Sequence, residues 1–314
     1  MSKQERYLMT FDFETTGLPL DNWGNFEPYP TVKKWSDGNP IMERIEKKNE
    51  NGDIYYERKM IQVDPSKPEN WPHAVQLSYL LYDKKENKIL KIVNEIVRLS
   101  EGTKIEPSSM LIHKISYEKT QEKSNPEIKE LLEQFMNDFR KADIVSGHNV
   151  SFDKNILLAE MSRLKNTNPV FEEYIQEIYF SKKFYCTGMY GKEVCKIEAV
   201  NKMKKKYFKM PKLKDLYREL FGYYPDESKL HNAFMDVVIC FRCFYKMCFE
   251  KDICDDPLVP SLLLNLYNDI SPSKNKIYRM NDLHIMEEFV PRKSQRLLSK
   301  IKKCYVDKKT RRKI

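Results

Sequence analysis

The chain has 314 residues, of which 41% are hydrophobic and 32% charged, with a net charge of +9. That length suits one large domain with insertions, or a domain with an extension, and the composition supports a sizeable core and excludes a disordered chain. No run approaches the ~18 apolar residues of a membrane span. The seven cysteines are odd in number and irregularly spaced, and the first apolar strand begins within a few residues of Met1 without a secretory signal. The expectation is an intracellular protein, cytoplasmic or nuclear, with free thiols and no membrane association.

In chain order, residues 6–13 alternate as a first strand. Within LMTFDFETTG (8–17), Asp12 and Glu14 occupy alternate positions and so share one face. Residues 19–72 break the pattern with many Pro, Asn, Gly, Asp and Lys and read as a long insertion, with a short hairpin around Asn51-Gly52. HAVQLSYLLYD (73–83) and KILKIVNEIVRL (88–99) form a strand hairpin. Pro107 opens a short helix over SSMLIHKIS. A longer helix is predicted over 124–142, with Ser124 capping and Pro126 in the first turn. Residues 142–149 form a short buried strand that ends in a turn, and a helix follows over 151–164. A helix over 213–222 stops at Gly222, and a strongly apolar, buried helix runs over 231–250. Residues 251–290 read as a helical extension. This order predicts an α/β fold with a mixed sheet flanked by helices. No G-x-G-x-x-G and no G-x-x-x-x-G-K-[ST] occurs, which removes two common nucleotide-binding readings.

The charge is uneven. Residues 291–314 hold eleven Lys or Arg against one acid, Asp307, so this tail carries +10 and the other 290 residues lie near −1. NKMKKKYFKMPKLK (201–214) adds seven lysines with Tyr207 and Phe208 interleaved. Lysines neutralise phosphates and aromatics stack on single-stranded bases, so both segments are candidate nucleic-acid contacts. Their bland alternative is solvated loop and tail. Cys240 and Cys243 form a C-x-x-C, but Ala233, Val237, Cys240, Phe241, Phe244 and Cys248 track one helical face, which favours buried core thiols over a zinc or redox site.

Four carboxylates sit at element boundaries: Asp12 and Glu14 near the end of the first strand, Asp153 in a first helical turn after GHN, and Asp236 five residues after His231. Each alone has an ordinary explanation, such as Asp153 as a first-turn acid. Together they form a set that an apolar setting penalises unless hard divalent cations compensate.

FDFETTG, HNVSFD and HNAFMD resemble the three motifs of the DEDD exonuclease superfamily, histidine subclass, which includes proofreading subunits of replicative polymerases. The resemblance covers roughly 6–17 and 73–250 and implies a ribonuclease H-like fold with metal-dependent 3′–5′ exonuclease activity. It implies that Asp12, Glu14, Asp153 and Asp236 hold two Mg²⁺, or Mn²⁺, and that His231 is the general base on the attacking water. Thr15, Thr16, Gly17, Leu18, Asn149 and Phe152 would line the substrate pocket. Lys114 stands where the family commonly has glycine after the histidine matched by His113. The implied organisation is a domain over 1–250 with the 19–72 insertion, a helical extension over 251–290 and a basic tail over 291–314. The partners implied are single-stranded or frayed 3′ ends, with a polymerase as a candidate protein partner. The first reading takes DNA, the second takes RNA ends, and a third is a silent nucleic-acid-binding module. The intact set of four acids and one histidine weighs against the third.

Overall fold

The computed structural model describes residues 5–19, 42–48, 54–60, 67–200, 204–226 and 233–277. Five strands form the main sheet: β1 (Tyr7–Thr15), β4 (Ala74–Asp83), β5 (Lys88–Ile96), β6 (Ile144–Gly147) and β7 (Phe184–Cys186). Between the first two lie β2 (Met42–Lys48) and β3 (Ile54–Met60), which pair antiparallel from Met42↔Met60 to Lys48↔Ile54. The predicted hairpin therefore exists, and its turn at Asn51-Gly52 lies outside the described residues. The helices are α1 (Pro107–His113), α2 (Tyr117–Thr120), α3 (Ile128–Lys141), α4 (Val150–Leu164), α5 (Val170–Phe180), α6 (Thr187–Cys195), α7 (Leu213–Phe221), α8 (Ala233–Phe249) and α9 (Ser261–Asp269). A second small pair, β8 (Glu198–Val200) and β9 (Lys206–Phe208), precedes α7.

The sheet order is β5-β4-β1-β6-β7. β1 pairs antiparallel with β4 and parallel with β6, and β6 pairs parallel with β7. This is the mixed sheet expected, with the first strand at its centre. Alternation on β1 serves two cores. Met9, Phe11 and Phe13 pack with Phe135, Ile156 and Leu157 of α3 and α4. Leu8 packs on the opposite face with Leu80, Tyr82 and the α8 residues Val237 and Phe241. Helices thus cover both faces, and β1 is buried along most of its length.

The long helix starts at Ile128, four residues later than predicted. The Arg98 N–H donates to Pro126 O at 2.9 Å and Arg98 bridges Glu127, so the preceding segment is held extended beside the end of β5. Ser124 and Pro126 therefore lie outside the helix, and Glu127 takes the cap position without a side-chain bond. The third strand of the main sheet ends at Ile96 rather than 99. Part of the 201–214 segment is the strand β9 instead of loop, while residues 201–203 lie outside the described residues. Gly222 ends α7 with φ of 82°, a left-handed cap that glycine adopts without penalty. In the extension, Leu263 and Tyr267 of α9 join the α8 core, so the part that is described docks on the sheet's α8 side. Residues 278–314, including the basic tail, lie outside the described residues. Among the described residues no helix is long and apolar enough to cross a membrane.

Candidate metal centre

Because Met9, Phe11 and Phe13 claim one face of β1, Thr10, Asp12 and Glu14 fall on the face toward α8. α8 brings its first-turn Asp236 to the same place. One carboxylate oxygen from each of Asp12, Glu14 and Asp236 lies within 4.8 Å of the others. Asp153 arrives from the opposite layer, in the first turn of α4, and is 3% exposed. Its carboxylate accepts the Phe13 N–H at 3.1 Å, which locks α4 to β1 between the two strand acids.

Burial, followed by the charges of Asp153, Asp236 and Glu14, pushes the Asp12 carboxyl well above the usual range. Burial, followed by Asp236 and Asp153, raises Glu14 to about 8. Burial raises Asp153 to about 7 against the lowering effect of the Phe13 N–H, and burial raises Asp236 to about 7. Among the described residues no cationic side chain offsets this repulsion. A set of hard oxygen donors with uncompensated negative charge fits Mg²⁺ or Mn²⁺ and fits poorly with soft, thiolate-preferring metals.

The Thr15–Leu18 loop is built from backbone ties. Thr15 Oγ1 donates to Gly17 O at 2.7 Å, and Thr16 N donates to His73 O at 2.9 Å. Thr16 Oγ1 accepts the His73 N–H at 2.9 Å, and Glu106 N donates to Thr16 O at 2.7 Å. The exposed Glu106 side chain lies over Gly17, its Cδ 2.7 Å from where a Cβ would stand. Leu18 is 47% exposed and free to meet a ligand. Asn149 turns the chain into α4 with φ of 62°, and its carbonyl accepts the Phe152 N–H at 2.8 Å. Phe152 packs against Trp71 with ring centroids 6.3 Å apart, so it anchors the segment before β4 as well as flanking the site. His231 lies outside the described residues, two positions before α8.

Two supporting residues, Glu160 and Arg163, carry no sequence signal. Buried Glu160 accepts the Ala74 N–H at 2.7 Å and pairs with Arg163 at 3.0 Å. The Arg163 guanidinium also donates to Pro68 O and Trp71 O, both at 2.6 Å, which holds the segment that ties Thr16. His148 is engaged at both ring nitrogens, with Thr187 Oγ1 and Pro211 O each at 3.0 Å, and burial lowers its pKa. It is a neutral pin between the second motif and the lysine-rich segment. His113 is buried, with Nδ1 accepting the Ile115 N–H at 3.0 Å. Lys114 occupies the left-handed cap of α1 with φ of 61°, the conformation that suits a glycine there. The cysteines Cys240 and Cys243 are free and buried, as the helical-face reading expects.

Among solved structures, an Exonuclease I from Methylocaldum szegediense aligns with TM-score 0.43 and 14% identity, covering 78% of this chain and 41% of its own. The E. coli Exonuclease I in complex with a dA16 oligonucleotide gives 0.43 and 12%, covering 77% and 41%. A 3′-exonuclease recognising the histone mRNA stem-loop gives 0.43 and 11%, covering 78% and 64%. The chain thus aligns with less than two thirds of the length of each. No curated protein sequence matches it. The exonuclease family model RNase_T matches residues 68–244, beginning after β1, and the fold inserts β1 with Asp12 and Glu14 at the centre of that matched region. The chain belongs to the RNase_T exonuclease family.

Proposed function

We propose that the protein is a metal-dependent 3′–5′ exonuclease of the histidine subclass that releases nucleoside monophosphates from the 3′ ends of DNA. The observation that carries this reading is the convergence of Asp12, Glu14 and Asp236 within 4.8 Å, closed on the α4 side by Asp153. Asp12, Glu14, Asp153 and Asp236 hold two Mg²⁺, with Mn²⁺ as a substitute. Bound cations supply neutralisation of the clustered carboxylates and stabilisation of charge on the phosphate oxygens. His231 takes the proton from the attacking water, a role suited to an imidazole near neutral pKa. The Thr15–Leu18 loop orients the terminal nucleotide through its backbone and the exposed Leu18 side chain. The lysines of 201–214 and of the 291–314 tail contact the strand's phosphates. A polymerase is a candidate protein partner on the same reading.

Labelled single- and double-stranded DNA and RNA, incubated with Mg²⁺, Mn²⁺ or chelator beside Asp12→Ala, test it. The expected outcome is a metal-dependent ladder from the 3′ end of DNA that disappears in the variant. Activity surviving Asp12→Ala refutes the site, faster RNA cleavage moves the substrate to RNA ends, and binding without cleavage in any metal refutes the enzyme.

A further inference from the structure

A cavity of about 490 Å³ lies along β7, between the first turns of α4 and α6. Its wall includes Ser151 and Lys154 of α4, Ser181 and Lys182 of the loop before β7, and Met189 and Tyr190 of α6. No carboxylate lines it, in sharp contrast to the acidic cluster beside it. Lys154 is half-buried, donates to Tyr179 O at 3.1 Å and lies 4.9 Å from the Phe184 ring centroid. Lys182 is exposed. Met189 and Tyr190 are 52% and 57% exposed. Tyr190 is stacked on Tyr185 at 4.5 Å, which fixes its ring while the remainder stays open.

The sheet order sets where this cavity lies. The Thr15–Leu18 loop is tied to His73 and Glu106, on the β4 side of β1. The acidic cluster sits on β1, and the cavity lies past β6 on the β7 side. Two strand spacings separate β1 from β7, roughly 10 Å. Loop, cluster and cavity therefore follow one another in the order of the sheet, from the β4 side across β1 to β7.

We propose that the cavity seats the single-stranded stretch of the nucleic-acid substrate immediately 5′ of the nucleotide being released, with Lys154 and Lys182 toward its phosphates and Tyr190 under a base. The charge argues for this occupant: two lysines and no acid match a polyanion, and an exposed, pre-stacked aromatic is sequence-tolerant toward bases. An apolar protein partner needs no such cations. The proposal rests on the exonuclease reading for the chemistry at the cluster and adds the path of the strand away from it.

Lys182→Ala and Tyr190→Leu in the full chain test the cavity. Fluorescent oligo-dT and oligo-U dodecamers report affinity by anisotropy in chelator across a salt series. Turnover of the dodecamer relative to the p-nitrophenyl ester of thymidine 5′-monophosphate, which reaches only the cluster and the loop, reports length preference. Each variant is expected to weaken dodecamer binding about tenfold and to lower the length preference by a similar factor. Lys182→Ala flattens the log–log salt slope by about 0.7, and Tyr190→Leu leaves it unchanged. Unchanged affinity and length preference overturn the proposal, as does an equal loss on the dodecamer and the small ester. A wild-type protein that cleaves neither substrate refutes the exonuclease reading alone, because the anisotropy arm still decides the cavity.

Discussion

Asp236 stands in the first turn of a helix whose following residues, Val237 to Tyr245, are buried, and burial raises its pKa to about 7. Its negative charge is unfavourable there until a cation arrives, so the same substitution has opposite effects on stability and chemistry. Asp236→Asn is expected to raise the melting temperature in chelator by about 2–4 °C for each kcal/mol of repulsion relieved, measured at about pH 8.5, where the native carboxyl is ionised. The same variant is expected to lose more activity than the roughly 10–100-fold that loss of an outer-shell partner costs. A variant that melts earlier in chelator means that Asp236 is held by contacts outside the acidic cluster. Lys114 illustrates a different residue-level conflict: it accepts a left-handed backbone at the end of α1, beside the loop that follows β1.

At the scale of elements, the junction of α7, α8 and the extension is held by one buried cation. Arg242 on α8 pairs with Asp252 at 2.6 Å, donates to the Tyr217 and Tyr223 hydroxyls, and lies 4.1 Å from the Phe221 ring centroid. Tyr223 continues to Ser271 at 3.1 Å, so the network reaches the end of α9. Burial pushes the Asp252 carboxyl up, but the hydrogen bonds and charge of Arg242 and the Cys254 N–H more than offset it. Asp252→Ala leaves Arg242 buried and unpaired, which costs about 3–5 kcal/mol. Urea unfolding is expected to show that loss, together with faster proteolysis within residues 252–277. A loss under about 1 kcal/mol, the range of an exposed pair, contradicts the buried-pair reading.

Across the whole molecule, two groups of carboxylates pull stability in opposite directions with pH. The Asp83, Glu160 and Asp252 carboxyls sit below the usual range, held by Arg6, by His73 and Arg163, and by Arg242. Their contribution is present above the unfolded values near 4 and is lost as pH falls through the folded ones. The Glu14, Asp153 and Asp236 carboxyls sit at about 8, 7 and 7. Their contribution is present below the unfolded values and is lost as pH rises through the folded ones, because the native state then binds more protons than the unfolded state. In chelator the melting temperature is expected to fall between about pH 6 and pH 8.5, and added Mg²⁺ or Mn²⁺ removes that fall by binding the native state. A flat profile in chelator over this window contradicts the raised values at the cluster.

The periodicity of apolar residues determined β1, the β4–β5 hairpin, α4, α7 and α8, because each buries a face whose spacing is local in the chain. The three acidic motifs were legible for the same reason: D-x-E on a strand, an acid in the first turn of α4 and an acid in the first turn of α8 are local patterns. The start of α3 was not legible, since Ser124 and Pro126 mimic a helix opening and non-local bonds, such as that from the Arg98 N–H to Pro126 O, hold that segment extended. The short strands β7 and β8 and the helices α5 and α6 gave too little local signal. The pins His148, Glu160 and Arg163 act across 63 to 95 residues, a separation that no spacing rule encodes. The sequence by itself determined which residues could share a cation. Only the tertiary structure decided that strand acids and helix acids from opposite layers meet at one end of the sheet, because that meeting depends on the sheet order and on packing both faces of β1.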